Sequence, residues 1–259
     1  MDLENKELID IVVVDNSRNF VNYTEINICL IENKENIGFG SAVNRGIPFT
    51  KSNTICVINP DTHFEVKFTD RVFNKLLDRS IGLLTLYQRD NSGRLLPTNG
   101  SFPNIFESLS WIIPTNSITK NIKNHFTLLQ LPTGREKSVR NIAGAFIAFR
   151  KSCFIKVGGF DERYFLYYED TDLSKGFLKN GYRNIILDSK TYIVHEIGNS
   201  DETQASKHDF MKHMIQSRLK FLRKWKKNLL FLNKAIIIIY IKFKRIELSR
   251  IDLHELLKV

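Results

Sequence analysis

Three acidic side chains fall within four positions of the stretch YFLYYEDTDLS, residues 164–174: Glu169, Asp170 and Asp172. Burying a carboxylate is costly unless it is paired, hydrogen-bonded or bound to a cation. The stretch is therefore either the solvated start of a helix with apolar residues beneath it, or a site in which a carboxylate acts as a general base. Aromatic residues crowd the positions just before the acids: Tyr164, Phe165, Tyr167 and Tyr168.

Three further polar side chains follow predicted strands. Asp15 ends the run IVVVD, Asp61 follows TICVINP, and His195 ends YIVH. Ligands of open α/β sheets sit at the carboxyl ends of strands, although a single Asp there is as typical of a turn as of a site. Together, Asp61 and His195 are candidates for two ligands of a divalent cation, with phosphate oxygens and water as the others. Asp170 or Glu169 then remains as the base.

The elements that must position these side chains alternate along the chain. Helical spacing begins near Ser41 and recurs over residues 68–79. Strands that alternate with helices predict an α/β domain with a mostly parallel sheet. Runs of β-branched and apolar residues predict buried strands at 8–16, 26–32, 53–62 and 81–87.

The second half of the chain is less regular at first. Residues 88–140 are rich in loop-forming residues and are interpreted as an insertion over the edge of the sheet. The pattern then predicts a strand at 141–151, a helix at 170–181 and a pair of short strands at 184–198. A long helix follows from about residue 207 to 225.

The net charge of +10 is concentrated near the carboxyl end. Residues 207–250 hold 13 Lys and Arg against two acids, whereas residues 1–206 are neutral. We therefore expect a domain at 1–206 and a basic amphipathic helical segment at 207–259. Its apolar run LLFLNKAIIIIYIKF is too short and too charged to span a bilayer.

Three interpretations of this basic segment remain open. It suits a helix lying on an anionic membrane surface, and it equally suits a helix packed on the body with solvated lysines. Binding of nucleic acid is the least supported interpretation, because no recognised binding motif accompanies the charge. We therefore expect no nucleic-acid partner.

The remaining composition is that of an ordinary globular protein, with 25% charged and 42% hydrophobic residues. The isolated cysteines Cys29, Cys56 and Cys153 lie in apolar runs, so we expect buried thiols of a cytosolic protein. The start MDLENKELID is acidic and lacks the apolar core of a signal peptide.

Five motifs resemble a known family in their order and spacing. Together they resemble family 2 glycosyltransferases with a GT-A fold, and most of all the rhamnosyltransferase-type members that build bacterial surface polysaccharides. The resemblance runs from about Ile11 to Lys224. The motifs are VVVDNS, NKENIGFGSAVNRGI, VINPDT, AGAFIAFRKSCFIKVGGFDERYFLYYEDTDLSKGFLKNGYR and IVHEIGNS.

The resemblance implies a donor site. Asp15 would hydrogen-bond the donor nucleobase. Asn59 and Asp61 stand where the family has its metal-binding Asp-x-Asp, with Asn59 in place of the first acid. The loop that lines the donor site would include Asn36, Gly38, Phe39 and Asn44.

The resemblance also implies an acceptor and catalytic side. Gly144 would lie in the strand beneath the acceptor, and Tyr167 and Tyr168 would wall it. Glu169 and Asp170 match the motif that supplies the base. His195 matches the histidine that, with Asp61, binds Mg²⁺ or Mn²⁺.

The implied activity is an inverting, metal-dependent sugar transfer at the cytoplasmic face of the cell membrane. The donor is a nucleoside-diphosphate sugar, such as dTDP-rhamnose or a UDP-sugar, and the acceptor is a glycan or a lipid-linked glycan. Two alternatives come from other classes. One is an inactive, N-terminally truncated remnant or partner-binding module, and the other is a basic surface-binding protein with an incidental α/β body.

The sequence departs from the family's pattern at its start. The family opens with a strand, a nucleotide-contacting loop and a helix before the VVVDN strand, and only ten residues precede Ile11. A parallel crossover needs a dozen residues or more. We therefore expect the first strand–helix unit to be missing and its neighbouring strands to lack a partner, unless the chain starts upstream or another segment or chain fills the place.

Overall fold

The computed structural model describes residues 9–17, 28–64, 67–112, 129–130, 133–195 and 204–243. Short strands and helices follow one another through these segments. The strands are β1 Ile11–Asp15, β2 Ile28–Glu32, β3 Thr54–Ile58, β4 Thr62–His63, β5 Ile81–Thr85, β6 Tyr87–Arg89, β7 Leu95–Leu96, β8 Asn99–Gly100, β9 Leu129–Gln130, β10 Lys137–Val139, β11 Asn141–Ile142, β12 Phe146–Arg150, β13 Arg183–Ile186 and β14 Tyr192–His195. The helices are α1 Phe39–Gly46, α2 Thr69–Leu76, α3 Ile105–Ile112, α4 Lys151–Val157, α5 Glu169–Lys179, α6 Gln204–Trp225 and α7 Lys227–Phe243.

A five-stranded sheet in the order β10-β13-β5-β12-β3 forms the centre of the fold. The α/β class is as expected, but this sheet is mixed rather than mostly parallel. β13 runs parallel to β5, whereas β12 lies antiparallel between β5 and β3. The reason lies where β12 begins: Ala145, just before β12, accepts a hydrogen bond from the amide of Asn59, just after β3. The chain therefore enters β12 at the edge where β3 ends.

Hydrophobic clusters cover both faces of this sheet, because successive strand residues point to opposite faces. Leu83 of β5 lies in one cluster with Phe177 of α5. Its neighbour Leu84 lies in the other with Val72 of α2. The sheet is thus a layer between helices, and its strand ends carry the polar loops.

The first two strands form a sheet of their own. β1 and β2 pair in parallel, with Ile11 opposite Ile28. Helix α1 covers β1 so closely that a Cβ atom on Gly46 would lie 3.0 Å from Cγ2 of Val14. In the described part of the chain no ladder joins this pair to the five-stranded sheet.

The insertion at 88–140 contains helix α3 and contributes short strands to two smaller sheets. β8 pairs with β9 and β11, while β6 pairs with β7 and β14. Part of the insertion, residues 113–128 and 131–132, lies outside the described residues.

The basic carboxyl-terminal segment forms helices α6 and α7 up to Phe243, and residues 244–259 lie outside the described residues. Helix α6 buries Leu219, Phe221 and Leu222, and helix α7 buries Ile236 and Ile237. The division into domains at residue 206 stays a prediction, although α6 shares a core with the residues before it. No helix within the described segments has the length and apolarity needed to cross a bilayer.

The cysteines correct one expectation. Cys153 is buried, but Cys29 and Cys56 are exposed. Cys56 lies on β3 at the end of the central sheet, and Cys29 lies on β2 of the two-stranded sheet. An apolar run in these edge strands therefore did not imply full burial.

Candidate active site

Asp61 and His195 lie together, as their positions after β3 and in β14 predicted. Nε2 of His195 is 3.0 Å from Oδ2 of Asp61. Strand β14 brings the histidine there by pairing with β4, where His195 is opposite Thr62. The other ring nitrogen, Nδ1, lies 3.2 Å from Oε1 of Gln88 in the neighbouring strand β6.

The orientation of the Gln88 amide decides the chemistry of this pair. With Oε1 of Gln88 toward Nδ1, Nδ1 of His195 carries the ring proton, the lone pair of Nε2 faces a carboxylate oxygen of Asp61, and a cation or a second ring proton must lie between them. With the amide turned over, Gln88 would donate to Nδ1, and Nε2–H would donate to Asp61. Such a tautomer-fixing partner is the usual environment of a metal-binding histidine.

The pair fits a divalent cation held by two protein ligands. Two adjacent ligands of an octahedral ion bound at about 2.1 Å lie about 3 Å apart, which matches the 3.0 Å between Asp61 and His195. The described residues contain no cluster of three or more His, Cys, Asp or Glu side chains arranged for a metal. Substrate oxygens and water would have to supply the other ligands.

The two adjacent acids begin helix α5. Glu169 is buried, and its Oε2 atom has no hydrogen-bond partner among the described residues. Oδ1 of Asp170 accepts bonds from the amide and the hydroxyl of Thr171, at 2.6 and 3.2 Å. The two residues before them, Tyr167 and Tyr168, have φ angles of 65° and 68°. Residues other than glycine rarely adopt this left-handed backbone conformation. Such strain persists where the surrounding structure enforces it, often at functional sites.

Burial sets the protonation of the acid pair. Desolvation, with the charge of Asp170 as a second cause, raises the pKa of Glu169 to about 8. Desolvation also raises the pKa of Asp170, and hydrogen bonds from Thr171 and the Gly144 amide oppose that rise. Asp170 is partly exposed, whereas Glu169 is buried. Both carboxyl groups hold a proton more tightly than a solvated acid does.

Gly144 lies against Asp170. A Cβ atom on Gly144 would be 3.6 Å from Oδ2 of Asp170 and 3.7 Å from the ring of Phe39. Gly144 belongs to the turn between β11 and β12 rather than to a strand, which corrects the expected placement. The next residue, Ala145, is bonded to Asn59, so this turn connects the acid pair to the segment that carries Asp61.

The loop that was predicted to line the donor site approaches the aromatic stretch at Gly38. Its φ angle is 85°, and a Cβ atom there would lie 2.4 Å from the carbonyl oxygen of Phe165. Oδ1 of Asn36 accepts the Gly38 amide at 2.9 Å and shapes the turn before α1. Only glycine allows this backbone conformation and this contact together.

The other residues predicted to bind the donor make local contacts within the protein. Oδ1 of Asp15 accepts the amide and the hydroxyl of Ser17, each at 2.7 Å. The side-chain amide of Asn44 donates to the carbonyl oxygen of Phe160 and accepts from its backbone N–H. It also donates to Oε1 of Glu162 at 3.0 Å. Asn44 therefore holds α1 against the loop at 158–162, and its contact with a donor stays a prediction.

Helix α6 supports the aromatic stretch, which the sequence did not reveal. Tyr167 packs against Phe210 with ring centroids 4.8 Å apart, and Phe165 packs against His213 at 4.9 Å. Ser217 Oγ donates to the carbonyl of Leu166 at 2.8 Å. The aromatic residues thus lie between the acids and the basic segment.

Asp172 has a structural role beyond starting a helix. Trp225 Nε1 and Lys224 Nζ donate to its carboxylate at 2.6 and 2.7 Å, and Tyr164 donates at 3.3 Å. Asp172 anchors the end of α6 beneath α5. Neither this anchor nor Gln88 could be found from the sequence, because both depend on side chains far apart in the chain.

Comparison with known proteins supports the GT-A interpretation. No protein-family model matches the chain. The chain is 28% identical over 202 residues to the N-acetylglucosaminyl-diphospho-decaprenol L-rhamnosyltransferase of Mycobacterium tuberculosis, and the match covers 70% of this chain. It spans 62% of the length of that relative.

Solved structures share the fold at low identity. The structure of GalNAc-T7 with UDP, GalNAc and Mn²⁺ superposes with a TM-score of 0.57 at 13% identity, covering 85% of this chain and 43% of that one. The mannosyltransferase PcManGT from Pyrobaculum calidifontis, in complex with GDP-Man and Mn²⁺, gives a TM-score of 0.51 at 15% identity, covering 94% and 67%. The chain therefore has the GT-A glycosyltransferase fold and is rhamnosyltransferase-like in sequence.

Proposed function

We propose that the chain is an inverting, metal-dependent glycosyltransferase that moves a sugar from a nucleoside-diphosphate sugar to a lipid-linked glycan acceptor in bacterial surface polysaccharide synthesis. One observation carries the proposal. The turn at Gly144 and Ala145 connects the buried acids of α5 to the segment that holds Asp61 beside His195. This connection supports a single site that contains both a general base and a diphosphate-binding pair.

Asp170 is the proposed base. Its carboxylate takes the proton of the acceptor hydroxyl, the hydroxyl oxygen bonds to the anomeric carbon, and the bond from that carbon to the diphosphate breaks. The raised pKa of Asp170 favours this role, because a desolvated carboxylate binds a proton more strongly. Glu169 is the alternative base, and the charge of Asp170 contributes to its raised pKa.

Asp61 and His195 would hold Mg²⁺ or Mn²⁺, and the ion would neutralise the charge that develops on the leaving nucleoside diphosphate. Gln88, whose Oε1 lies 3.2 Å from Nδ1, would keep the His195 ring in the tautomer whose Nε2 lone pair faces Asp61. The two GT-A structures described above contain Mn²⁺ with their nucleotides, which supports the choice of cation.

The substrates are proposed from the relative and from the loops. The Mycobacterium tuberculosis relative is named as a rhamnosyltransferase acting on a lipid diphosphate that bears N-acetylglucosamine. We propose dTDP-rhamnose or a UDP-sugar as donor, bound through Asp15, Asn36, Gly38, Phe39 and the Asn59–Asp61 segment. Tyr167 and Tyr168 would wall the acceptor.

A lipid-linked acceptor requires a place at the membrane surface, and helix α7 suits it. Phe231 is 85% exposed, and Leu232 and Ile239 are also exposed, on a helix with basic residues at Lys227 and Lys234. Exposed apolar side chains among lysines favour an anionic interface. The proposal therefore includes peripheral attachment through the segment 207–250 at the cytoplasmic face.

The test uses the full chain with Mn²⁺, a panel of radiolabelled donors (dTDP-rhamnose, UDP-N-acetylglucosamine and GDP-mannose) and N-acetylglucosaminyl-diphospho-polyprenol. We expect label to enter the lipid phase from one donor. Asp170→Asn should abolish transfer while donor binding survives, and Asp70→Asn, at an exposed position of α2, should transfer normally.

Each component of the proposal can fail separately. Normal transfer by Asp170→Asn with loss in Glu169→Gln would move the base to Glu169. Transfer retained in both variants would refute the assignment of the base. Absence of label from every donor, in a folded protein, would overturn transfer to this acceptor.

A further inference from the structure

Three cations from separate parts of the chain gather around one buried aromatic ring. The ring is that of Phe102, which follows β8 and is 4% exposed. Nζ of Lys175 on α5 lies 4.9 Å from the ring centroid, and Cζ of Arg140, between β10 and β11, lies 5.7 Å from it. Nζ of Lys226, between α6 and α7, donates to the carbonyl oxygen of Pro103 at 2.8 Å. We call Arg140, Lys175 and Lys226 the cation cluster.

No carboxylate among the described residues is paired with the cation cluster. The ion pairs of the described segments include none of Arg140, Lys175 and Lys226. In contrast, Lys224, two residues before Lys226, is paired with two acids. Like charges that lie together without a counter-charge repel each other and destabilise the compact state. The cation cluster therefore has the composition of an anion-binding site.

Lys226 shows the repulsion within the cluster. It is half-buried, and desolvation lowers its pKa. The positive charges of Lys175, Arg140 and Arg218 lower this pKa further. An anion in contact with the cluster would oppose that repulsion, and its attraction to a partly desolvated cation is screened less than at an open surface. Arg140 is exposed and Lys175 is half-buried, so a ligand can reach both.

The cation cluster adjoins the proposed acceptor side of the active site. Phe102 shares a hydrophobic cluster with Tyr168, one of the two tyrosines proposed to wall the acceptor. Lys175 lies on the same helix as the proposed base Asp170, and the five positions between them correspond to about 8 Å along the helix axis. This offset is comparable with the length of one sugar unit that bears a diphosphate.

The same cluster lies where the chain turns into the helix proposed to contact the membrane. Lys226 directly precedes α7. The exposed apolar side chains of α7 include Phe231, which is 85% exposed. A lipid whose phosphates bind the cluster would therefore have its hydrocarbon chain beside α7.

We infer that the cation cluster binds the diphosphate of the lipid-linked acceptor. The planar guanidinium of Arg140 can bind two phosphate oxygens at once, and the ammonium groups of Lys175 and Lys226 supply compact positive charge. The inference rests on the proposed transfer to a lipid-linked glycan. It assigns residues to the phosphate part of that acceptor, whereas Asp170 acts on its sugar.

Co-sedimentation of the full chain with vesicles tests this inference. One set of phosphatidylcholine vesicles carries polyprenyl diphosphate, and a second set carries phosphatidylglycerol at the same surface charge. EDTA is present, so that no divalent cation can bind a diphosphate at Asp61 and His195. We expect at least tenfold tighter binding to the diphosphate vesicles. Equal binding to both sets would assign the cluster to any anionic lipid and overturn its assignment to the diphosphate.

Matched variants separate the cluster from net charge. Lys175→Gln and Arg140→Gln should each remove most of the preference for diphosphate vesicles, and Lys175→Arg, which keeps the charge, should retain it. Lys179→Gln is the control, because Lys179 lies on the same helix and also over an aromatic ring, that of Trp225 at 5.3 Å. An unchanged preference in Lys175→Gln and Arg140→Gln would refute the inference, and so would an equal loss in Lys179→Gln.

Kinetics distinguish a failure of this inference from a failure of the proposed function. In the transfer assay, Lys175→Gln should raise the KM for the lipid acceptor about tenfold and leave the KM for the donor unchanged. Normal transfer with an unchanged acceptor KM would overturn the role of the cluster and leave the proposed activity intact. Absence of transfer from every donor, with the preference for diphosphate vesicles intact, would overturn the activity and leave the diphosphate site in place.

Discussion

Nη1 of Arg218 donates a 3.0 Å hydrogen bond to the hydroxyl of Tyr168, which directly precedes the acid pair. The guanidinium is fully buried and also binds Ser108 on α3 and Asn233 on α7. One side chain of α6 therefore connects the strained aromatic stretch to two other helices. The basic segment is part of the support of the acid pair.

Arg218→Gln should destabilise the protein by about 3 kcal/mol, because it leaves several buried polar groups without their charged donor. Arg223→Gln is the control, since Arg223 is an exposed residue of the same helix. Denaturant unfolding measures both. Equal stability of the two variants would contradict the role of Arg218.

Gly38→Ala should impair the site through a backbone contact. The new Cβ atom would meet the carbonyl of Phe165 at 2.4 Å, and the φ angle of 85° already disfavours alanine. Gly93 has a similar φ angle of 79° with open space around it. Gly93→Ala thus carries the backbone cost of about 1 kcal/mol alone, and Gly38→Ala should lose clearly more stability and most donor binding.

Calorimetry with a nucleoside diphosphate compares the two glycine variants. If Gly38→Ala binds the nucleotide as the unmodified chain does, the close approach of the donor loop to Phe165 is unimportant for binding.

The sequence predicted the strands and helices well where periodicity was strong. The closeness of Asp61 and His195 could be predicted, because both residues lie at the ends of predicted strands. The direction of β12 was not predictable, since it depends on where the chain re-enters the sheet after a long insertion. The contacts that bury Asp172 were not predictable either, because Trp225 and Lys224 lie 53 and 52 positions away from it in the sequence.

Stability should fall as pH rises from about 4 toward 8, because Glu169 ionises in the unfolded chain over this range but stays protonated in the folded chain. The pKa of Glu169 is about 8 in the folded chain and about 4.3 when unfolded. Between these values the folded state holds more protons, so the free energy of unfolding decreases with pH. Glu169→Gln should flatten this slope, and Glu35→Gln, at an exposed loop position, should not.

Unfolding curves at pH 5, 6, 7 and 8 measure the slope for each variant. A Glu169→Gln protein with the full slope would show that the carboxyl group is not held protonated. Transfer activity should change in the opposite direction and increase with pH, because the base must be ionised to accept a proton.

Gln88→Leu should weaken Mn²⁺ binding about 10-fold or more without touching either proposed ligand, since it frees the His195 ring to change tautomer. Electron paramagnetic resonance of Mn²⁺ with nucleoside diphosphate measures the affinity. His195→Ala should lose more, and Gln216→Leu, a partly exposed position on α6, should lose nothing. Unchanged affinity in Gln88→Leu would show that the Nδ1 contact does not direct the histidine.

Phe231 on α7 should carry part of the membrane attachment. Truncation near residue 206 is a poor test, because α6 buries Leu219, Phe221 and Leu222 in the fold. Phe231→Asp changes a side chain that is 85% exposed, so folding should be preserved. Because each Lys or Arg near an anionic surface contributes about 1 kcal/mol, binding should require anionic lipid and weaken with salt.

Co-sedimentation with vesicles of phosphatidylcholine and phosphatidylglycerol gives the partition of each variant. Phe231→Asp should reduce the bound fraction at least tenfold, because a charge replaces an apolar ring at the interface. Phe73→Asp is the matched control, since Phe73 is 53% exposed on α2, away from the basic segment in sequence. If Phe231→Asp sediments as the unmodified chain does, α7 is not the attachment surface, and exposed apolar residues elsewhere must be tested.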